Sequence, residues 1–202
     1  MNCQFPTVLR PLIGRNYLWR KNSSEKVVYL TFDDGPVPEV TPQVLSVLDD
    51  FNIKATFFCV GDNVNKYPEL YRAILLKGHS VGNHTFHHLN GFKVEHEQYL
   101  NDVEQASQLI DSRLFRPPYG KLTRREKKIL EQKFQIVLWD VISYDYDRNL
   151  SPSQVLENVK HNSRNGSVIL FHDSVKAKNN MLSVLPDAIN FLLAKGFRFE
   201  RL

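Results

Sequence analysis

Cysteine is scarce in this chain, with only Cys3 and Cys59 among 202 residues. Two thiols cannot frame a disulfide-stapled domain. Cys59 sits inside the apolar run from Ala55 to Val60, so it reads as a buried free thiol in a reducing compartment. No apolar run approaches the ~18 residues that a bilayer span requires. A strong excess of one charge sign is also missing. The 26 Lys and Arg against 22 Asp and Glu leave a formal net charge of +4, too diffuse to point to nucleic acid. Residues 26–202 contain no linker, low-complexity tract or internal repeat. What is present is ordinary: 42% hydrophobic and 24% charged residues. Such a chain buries enough apolar surface to offset the ordering of its backbone, which excludes intrinsic disorder.

Residues 1–25 read as a basic lead-in to one domain over residues 26–202. Arg10, Arg15, Arg20 and Lys21 stand against a single acid, Glu25, interleaved with Val8, Leu9, Leu12, Ile13, Leu18 and Trp19. Arg10, Pro11, Gly14 and Arg15 interrupt any run long enough to be the apolar core of a secretory signal. The lead-in is expected to pack on the domain. Peripheral contact with an anionic membrane face is the alternative. A cytoplasmic location is expected on the same ground.

From Lys26 onward two patterns alternate. Short apolar or β-branched runs read as strands: Val27 to Phe32, Ala55 to Val60, His79 to Val81, Leu114 to Arg116, Ile136 to Trp139, Val168 to Phe171 and Phe197 to Phe199. Between them lie helical spacings such as Val44, Val47, Leu48 and Phe51, or Tyr99, Val103, Ala106 and Ile110. Ser151 and Ser153 offer N-caps for a helix carrying Val155 and Val159, and Gly78, Gly166 and Gly196 fall where helices would stop. Strands apolar on both faces, each followed by a helix, predict an α/β fold with a parallel sheet. An open doubly wound sheet and a closed barrel both satisfy the pattern.

The ionisable residues favour the barrel. Asp33 and Asp34 follow the first predicted strand, and His84 and His88 follow the third. Arg116 ends the fourth, Asp145 lies beyond the fifth, and His172 ends the sixth. All five groups fall at carboxyl ends of strands, where the loops of βα proteins converge on one crevice. His84 and His88 have the spacing of a chelating pair, while His87 points elsewhere and reads as a supporting or solvated residue. His79, His96 and His161 show no partner pattern. Two histidines and one of the paired carboxylates make a three-ligand site with an open position, the pattern of catalytic zinc. An open divalent cation acidifies water, and the second carboxylate is then free to take the proton. His172 can protonate a departing group with Asp145 holding its ring, and Arg116 can orient the base. The predicted chemistry is metal-assisted hydrolysis of an acyl group.

Thr31-Phe32-Asp33-Asp34-Gly35, His84-Thr85-Phe86-His87-His88, Arg116-Pro117-Pro118-Tyr119-Gly120, Asp145-Tyr146 and Leu170-Phe171-His172 resemble the five ordered motifs of the polysaccharide deacetylase family, the carbohydrate esterase family of chitin and peptidoglycan N-deacetylases. The resemblance spans Lys26 to about Ser174. It implies a distorted (β/α) barrel of about seven strands. It also implies Asp33 as general base, with Asp34, His84 and His88 as ligands of one divalent ion, Zn²⁺ by default, with Co²⁺, Ni²⁺ or Fe²⁺ also accepted by such donors. Arg116 would hold Asp33, and Asp145 would tune His172 as general acid. The Tyr119 backbone N–H would stabilise the oxyanion, and Leu170 with Tyr146 would line a slot for the acetyl methyl. Two departures stand out: Tyr146 replaces the family's usual Trp, and Ile142 replaces an acid often found three residues before Asp145.

The implied activity is removal of N-acetyl groups from amino sugars in an N-acetylated oligo- or polysaccharide. Deacylation of a lipid-linked amino sugar at a membrane face and O-deacetylation of an esterified polysaccharide are the alternatives. A non-catalytic glycan-binding domain is the competing class, and the intact set of ionisable residues argues against it.

Overall fold

The computed structural model describes residues 17–21 and 24–202. Most of the basic lead-in, and with it the membrane-facing expectation, lies outside the described residues. The elements run β1 (Tyr17–Leu18), β2 (Val27–Asp33), α1 (Thr41–Asp50), β3 (Thr56–Cys59), α2 (Gly61–Lys66) and α3 (Pro68–Leu76). There follow β4 (Ser80–Asn83), α4 (His96–Ser107), β5 (Leu114–Phe115), α5 (Arg124–Leu130) and β6 (Gln135–Val137). The chain ends with β7 (Val141–Ile142), α6 (Pro152–Asn162), β8 (Val168–His172), α7 (Lys178–Ala194) and β9 (Arg198–Phe199).

The helices start where the local chemistry says they should. Proline stands in the first turn of α1, α3 and α6, where a missing N–H costs nothing. Ser151 caps α6 and Thr123 caps α5, each in a reciprocal capping box with Gln154 and Glu126. Among the described residues, no helix is long and apolar enough to cross a membrane.

The strands form one curled sheet in the order β1-β6-β5-β4-β3-β2-β8-β7, with β9 beside the start of β2. All named pairings are parallel. β2 is buried along all seven residues, as its largely apolar sequence predicts for a strand covered on both faces. Phe32 at its centre stacks on Phe57 and Phe171, with ring centroids 5.1 and 6.1 Å away. The architecture is the expected distorted α/β barrel. It has nine strands rather than about seven because β1 and β7, two residues each, are too short to show any periodicity.

The barrel closes along a thin seam. Leu138 N–H donates to the Leu18 carbonyl at 2.8 Å, and Lys21 N–H donates to Gly166 at 2.9 Å. Arg20 makes an antiparallel bridge with Ser167. Residues 17–21 thus bond to β6 on one side and to the start of β8 on the other. Gly166 adopts φ 79°, and a Cβ there would sit 1.8 Å from the Lys21 carbonyl oxygen. Gly166→Ala should therefore destabilise the fold by at least ~1 kcal/mol, the cost of a left-handed non-glycine residue alone. Urea unfolding measures it, and unchanged stability would mean that the seam does not close this way.

Candidate active site

Strand register assembles the site. Asp33, the last residue of β2, pairs with His172, the last of β8, and with Phe58 on the other side. Cys59 pairs with Asn83, which pairs with Phe115. The residues that follow these strand ends therefore emerge together at one mouth of the barrel. There they line a cavity of about 430 Å³ containing Asp33, Asp34, His84, His88 and His172.

Asp34, His84 and His88 offer ligand atoms all within 4.8 Å of one another. Asp34 Oδ1 lies 3.2 Å from His88 Nε2 and 3.8 Å from His84 Nε2. His84 Nδ1 is 2.7 Å from the Arg116 carbonyl. A carbonyl only accepts, so Nδ1 carries the proton and the Nε2 lone pair is left facing the cluster. Burial, chiefly, lowers the His84 pKa to about 4, keeping the ring in the neutral form that a cation requires. For Asp34, burial opposes the charge. The hydrogen bond from His88 and the charges of His172 and His84 outweigh it and hold the carboxyl well below the usual range. One carboxylate and two imidazole nitrogens in this arrangement fit a divalent cation.

Asp33 is 3% exposed and Arg116 fully buried. Arg116 Nη1 donates to Asp33 Oδ1 at 2.5 Å and to Thr31 Oγ1 at 3.0 Å. Its Nη2 donates to the Leu138 carbonyl at 3.1 Å, and the guanidinium carbon lies 4.0 Å from the centre of the Phe58 ring. Asp33 Oδ2 is 3.8 Å from His84 Nε2, as near as Asp34 Oδ1, but it is Asp34 that also approaches His88 and groups with the two histidines.

His172 Nδ1 lies 2.8 Å from Asp145 Oδ1, and Asp145 Oδ2 accepts the His172 backbone N–H at 2.7 Å. Burial alone would discharge this ring. The charge and hydrogen bond of Asp145, with the charges of Asp34 and Asp33, prevail and push it up to about 9. A cation at the cluster would offset part of that rise.

The apolar side of the cavity is Leu170, Tyr146, Ile142 and Trp139, with Tyr119, Ser174 and Lys176 at its rim. The Tyr146 ring meets His172 edge-on at 4.9 Å, and Lys176 Nζ lies 5.1 Å from its centre. Tyr119 holds φ 60° in the turn after β5, its ring 4.8 Å from that of His88. Strain gathers here. Among the described residues, Asp34, Thr85, His88, Tyr119, Tyr144 and Asn52 are the non-glycines with positive φ, and all but Asn52 lie in the loops around the mouth.

Every site residue expected from the sequence stands at this mouth. Sequence reasoning missed Trp139, Ser174 and Lys176 in the cavity wall. It also missed Asp102 and Asp173, two buried carboxylates beneath the loops. His87 is confirmed outside the cluster, with Nδ1 2.6 Å from Asp102. The one signal that could have found Asp173 is its position directly after His172. Burial, with the charges of Asp34 and Asp33, raises its pKa to about 8 against the hydrogen bonds from Thr41 and Gly35.

Residues 20–134 match the family model described as polysaccharide deacetylase. The chain belongs to the polysaccharide deacetylase family. It is 38% identical over 183 residues to a peptidoglycan-N-acetylglucosamine deacetylase of Bacillus cereus, covering 87% of this chain and 66% of that protein. It is 30% identical over 202 residues to a chitooligosaccharide deacetylase of Azorhizobium caulinodans, covering 91% and 96%. A crystal structure of a peptidoglycan N-acetylglucosamine deacetylase superposes with a TM-score of 0.89 at 34% identity, over 98% of this chain and 95% of that one. By family the chain is a hydrolase that deacetylates N-acetylated sugars.

The geometry separates the two carboxylates of the pair. Asp34→Ala should lose most bound divalent metal, because two imidazoles alone hold a cation weakly. Asp33→Asn should keep it. Metal content after dialysis, measured by atomic absorption, distinguishes the two, and equal retention in both variants would remove Asp34 from the ligand set.

Proposed function

We propose that this polysaccharide deacetylase removes N-acetyl groups from N-acetylglucosamine residues of a peptidoglycan-type glycan, using one divalent metal ion. The observation that carries the reading is the cluster of Asp34, His84 and His88 in one cavity with the buried Asp33 carboxylate and the Asp145-paired ring of His172. The peptidoglycan deacetylases among the relatives support the choice of glycan.

Asp34, His84 and His88 would hold the ion, zinc by default, and when bound it supplies Lewis acidity to the acyl group and to water. Asp33 takes the proton of the attacking water, and Arg116 keeps that carboxylate aimed and charged. The Tyr119 N–H donates to the oxygen that gains charge as the carbonyl carbon becomes tetrahedral. His172, charged through Asp145, delivers a proton to the departing sugar nitrogen. Without that proton the amine is a poor leaving group. Leu170, Tyr146, Ile142 and Trp139 receive the acetyl methyl and exclude water from that side. Tyr146 gives the slot a smaller ring and a hydroxyl where the family usually has Trp, and Ile142 makes its floor apolar.

Acetate release should occur on peptidoglycan fragments and N-acetylglucosamine oligomers, be greater on the former, and stop on addition of a chelator. Release only from acetylated xylan, or full release in chelator, would overturn the reading. His172→Ala should slow amide substrates by roughly 10²–10⁴-fold and activated aryl acetates far less, because a good leaving group needs little protonation. Parallel kinetics on the two substrates check this, and equal losses would remove His172 as the acid.

A further inference from the structure

Asp173 and Asp102 take no part in the proposed chemistry, yet both are sunk directly beneath it. Asp173 is fully buried. Its Oδ1 accepts the Gly35 N–H at 3.0 Å, and its Oδ2 accepts the Thr41 hydroxyl at 2.7 Å. Its own N–H donates to the Asp33 carbonyl at 3.0 Å. Asp34 is therefore gripped on both sides by one residue. Thr41 Oγ1 in turn accepts the Val37 N–H at 2.7 Å, so the loop from β2 to α1 hangs from this carboxylate at both ends. A Cβ on Gly35 would sit 2.0 Å from Asp173 Oδ2, which shows how closely the loop is drawn down.

Asp102, in the middle of α4 and 5% exposed, does the same for the second loop. Its Oδ2 accepts the backbone N–H groups of Phe86 and His87, both at 2.9 Å, and its Oδ1 faces His87 Nδ1 at 2.6 Å. The chain between His84 and His88 turns around that carboxylate. Regular structure holds neither loop. Asp34, Thr85 and His88 have φ values of 85°, 63° and 56°, conformations that relax unless their surroundings enforce them.

We propose that Asp173 and Asp102 are positioning residues that set the metal affinity of this site, each fixing one of the two loops that bear its ligands. The inference rests on the metal reading above. A loop already held in its ligating shape gives up little conformational freedom when the ion binds, whereas a released loop must be ordered at that moment. His87, between two ligand positions, belongs to this frame through Asp102. Asn is a near-isostere at position 173. Its amide oxygen can take the Gly35 N–H while its NH₂ donates to Thr41, whose oxygen has a second lone pair.

The test is the Zn²⁺ dissociation constant of the full chain, read by competition with a chromophoric chelator, with circular dichroism and thermal unfolding alongside. Asp173→Ala and Asp102→Ala should bind Zn²⁺ roughly 10–100-fold more weakly, the usual effect of losing partners that orient ligands. Asp173→Asn should stay close to the unsubstituted protein. A purely structural role would lower the unfolding temperature and leave the dissociation constant of the folded protein unchanged, and that result overturns the proposal. Should an alanine variant fail to fold, Thr41→Val removes the hydroxyl's bonds to Asp173 and Val37, and His87→Ala removes the ring's bond to Asp102. Weaker Zn²⁺ binding then supports the proposal, and unchanged binding overturns it. Asp34→Ala separates the two levels. If it binds Zn²⁺ normally the metal reading fails. If it binds weakly while the supporting variants bind normally, only this inference fails.

Discussion

A guanidinium sealed inside a barrel is tolerable only if its charge and its N–H groups find partners, because an unpaired buried ion costs several kcal/mol. Arg116 meets that condition by reaching across the barrel. It bonds Thr31 and Asp33 on β2 and the carbonyls of Val137 and Leu138 at the end of β6, and lies against the Phe58 ring of β3. Its own carbonyl takes the Nδ1 proton of His84. One residue thereby fixes the direction of the proposed base, the tautomer of a proposed ligand and the spacing of four strands. The catalytic geometry and the stability of the barrel mouth follow from the same set of bonds.

The electrostatics divide the mouth into two halves with opposite needs. At Asp34 the neighbouring histidines keep the carboxylate charged against burial, and at His84 burial keeps the imidazole neutral, as a cation requires. Around His172, Asp145 keeps an imidazole charged, as a proton donor requires. The two histidines sit in one cavity and burial discourages charge on both; at His172 the Asp145 carboxylate overrides burial, while at His84 the Arg116 carbonyl and nearby carboxylates do not.

How much of this was readable beforehand depended on the length and regularity of each signal. Val27 to Phe32, apolar but for Thr31, and Val168 to Phe171 are long apolar runs, and both are central strands. Ser151 was legible as a cap because capping chemistry is local. The ordered Asp, His, Arg and His groups were legible because each ends a strand. Tyr17–Leu18 and Val141–Ile142 were not, since two residues carry no period. Asp102 looked like any polar position on an amphipathic helix, and only the fold brings α4 under the His84–His88 loop. Trp139 and Lys176 reach the cavity through chain turns that no spacing rule encodes.

The sheet path ends at β1 and β7, each only two residues long. An unpaired strand edge is a row of open donors and acceptors on which a foreign segment can build. Edges this brief give an incoming chain almost nothing to zip against. Strands this short leave the barrel, closed only by the thin seam of residues 17–21, little rim on which another chain could build.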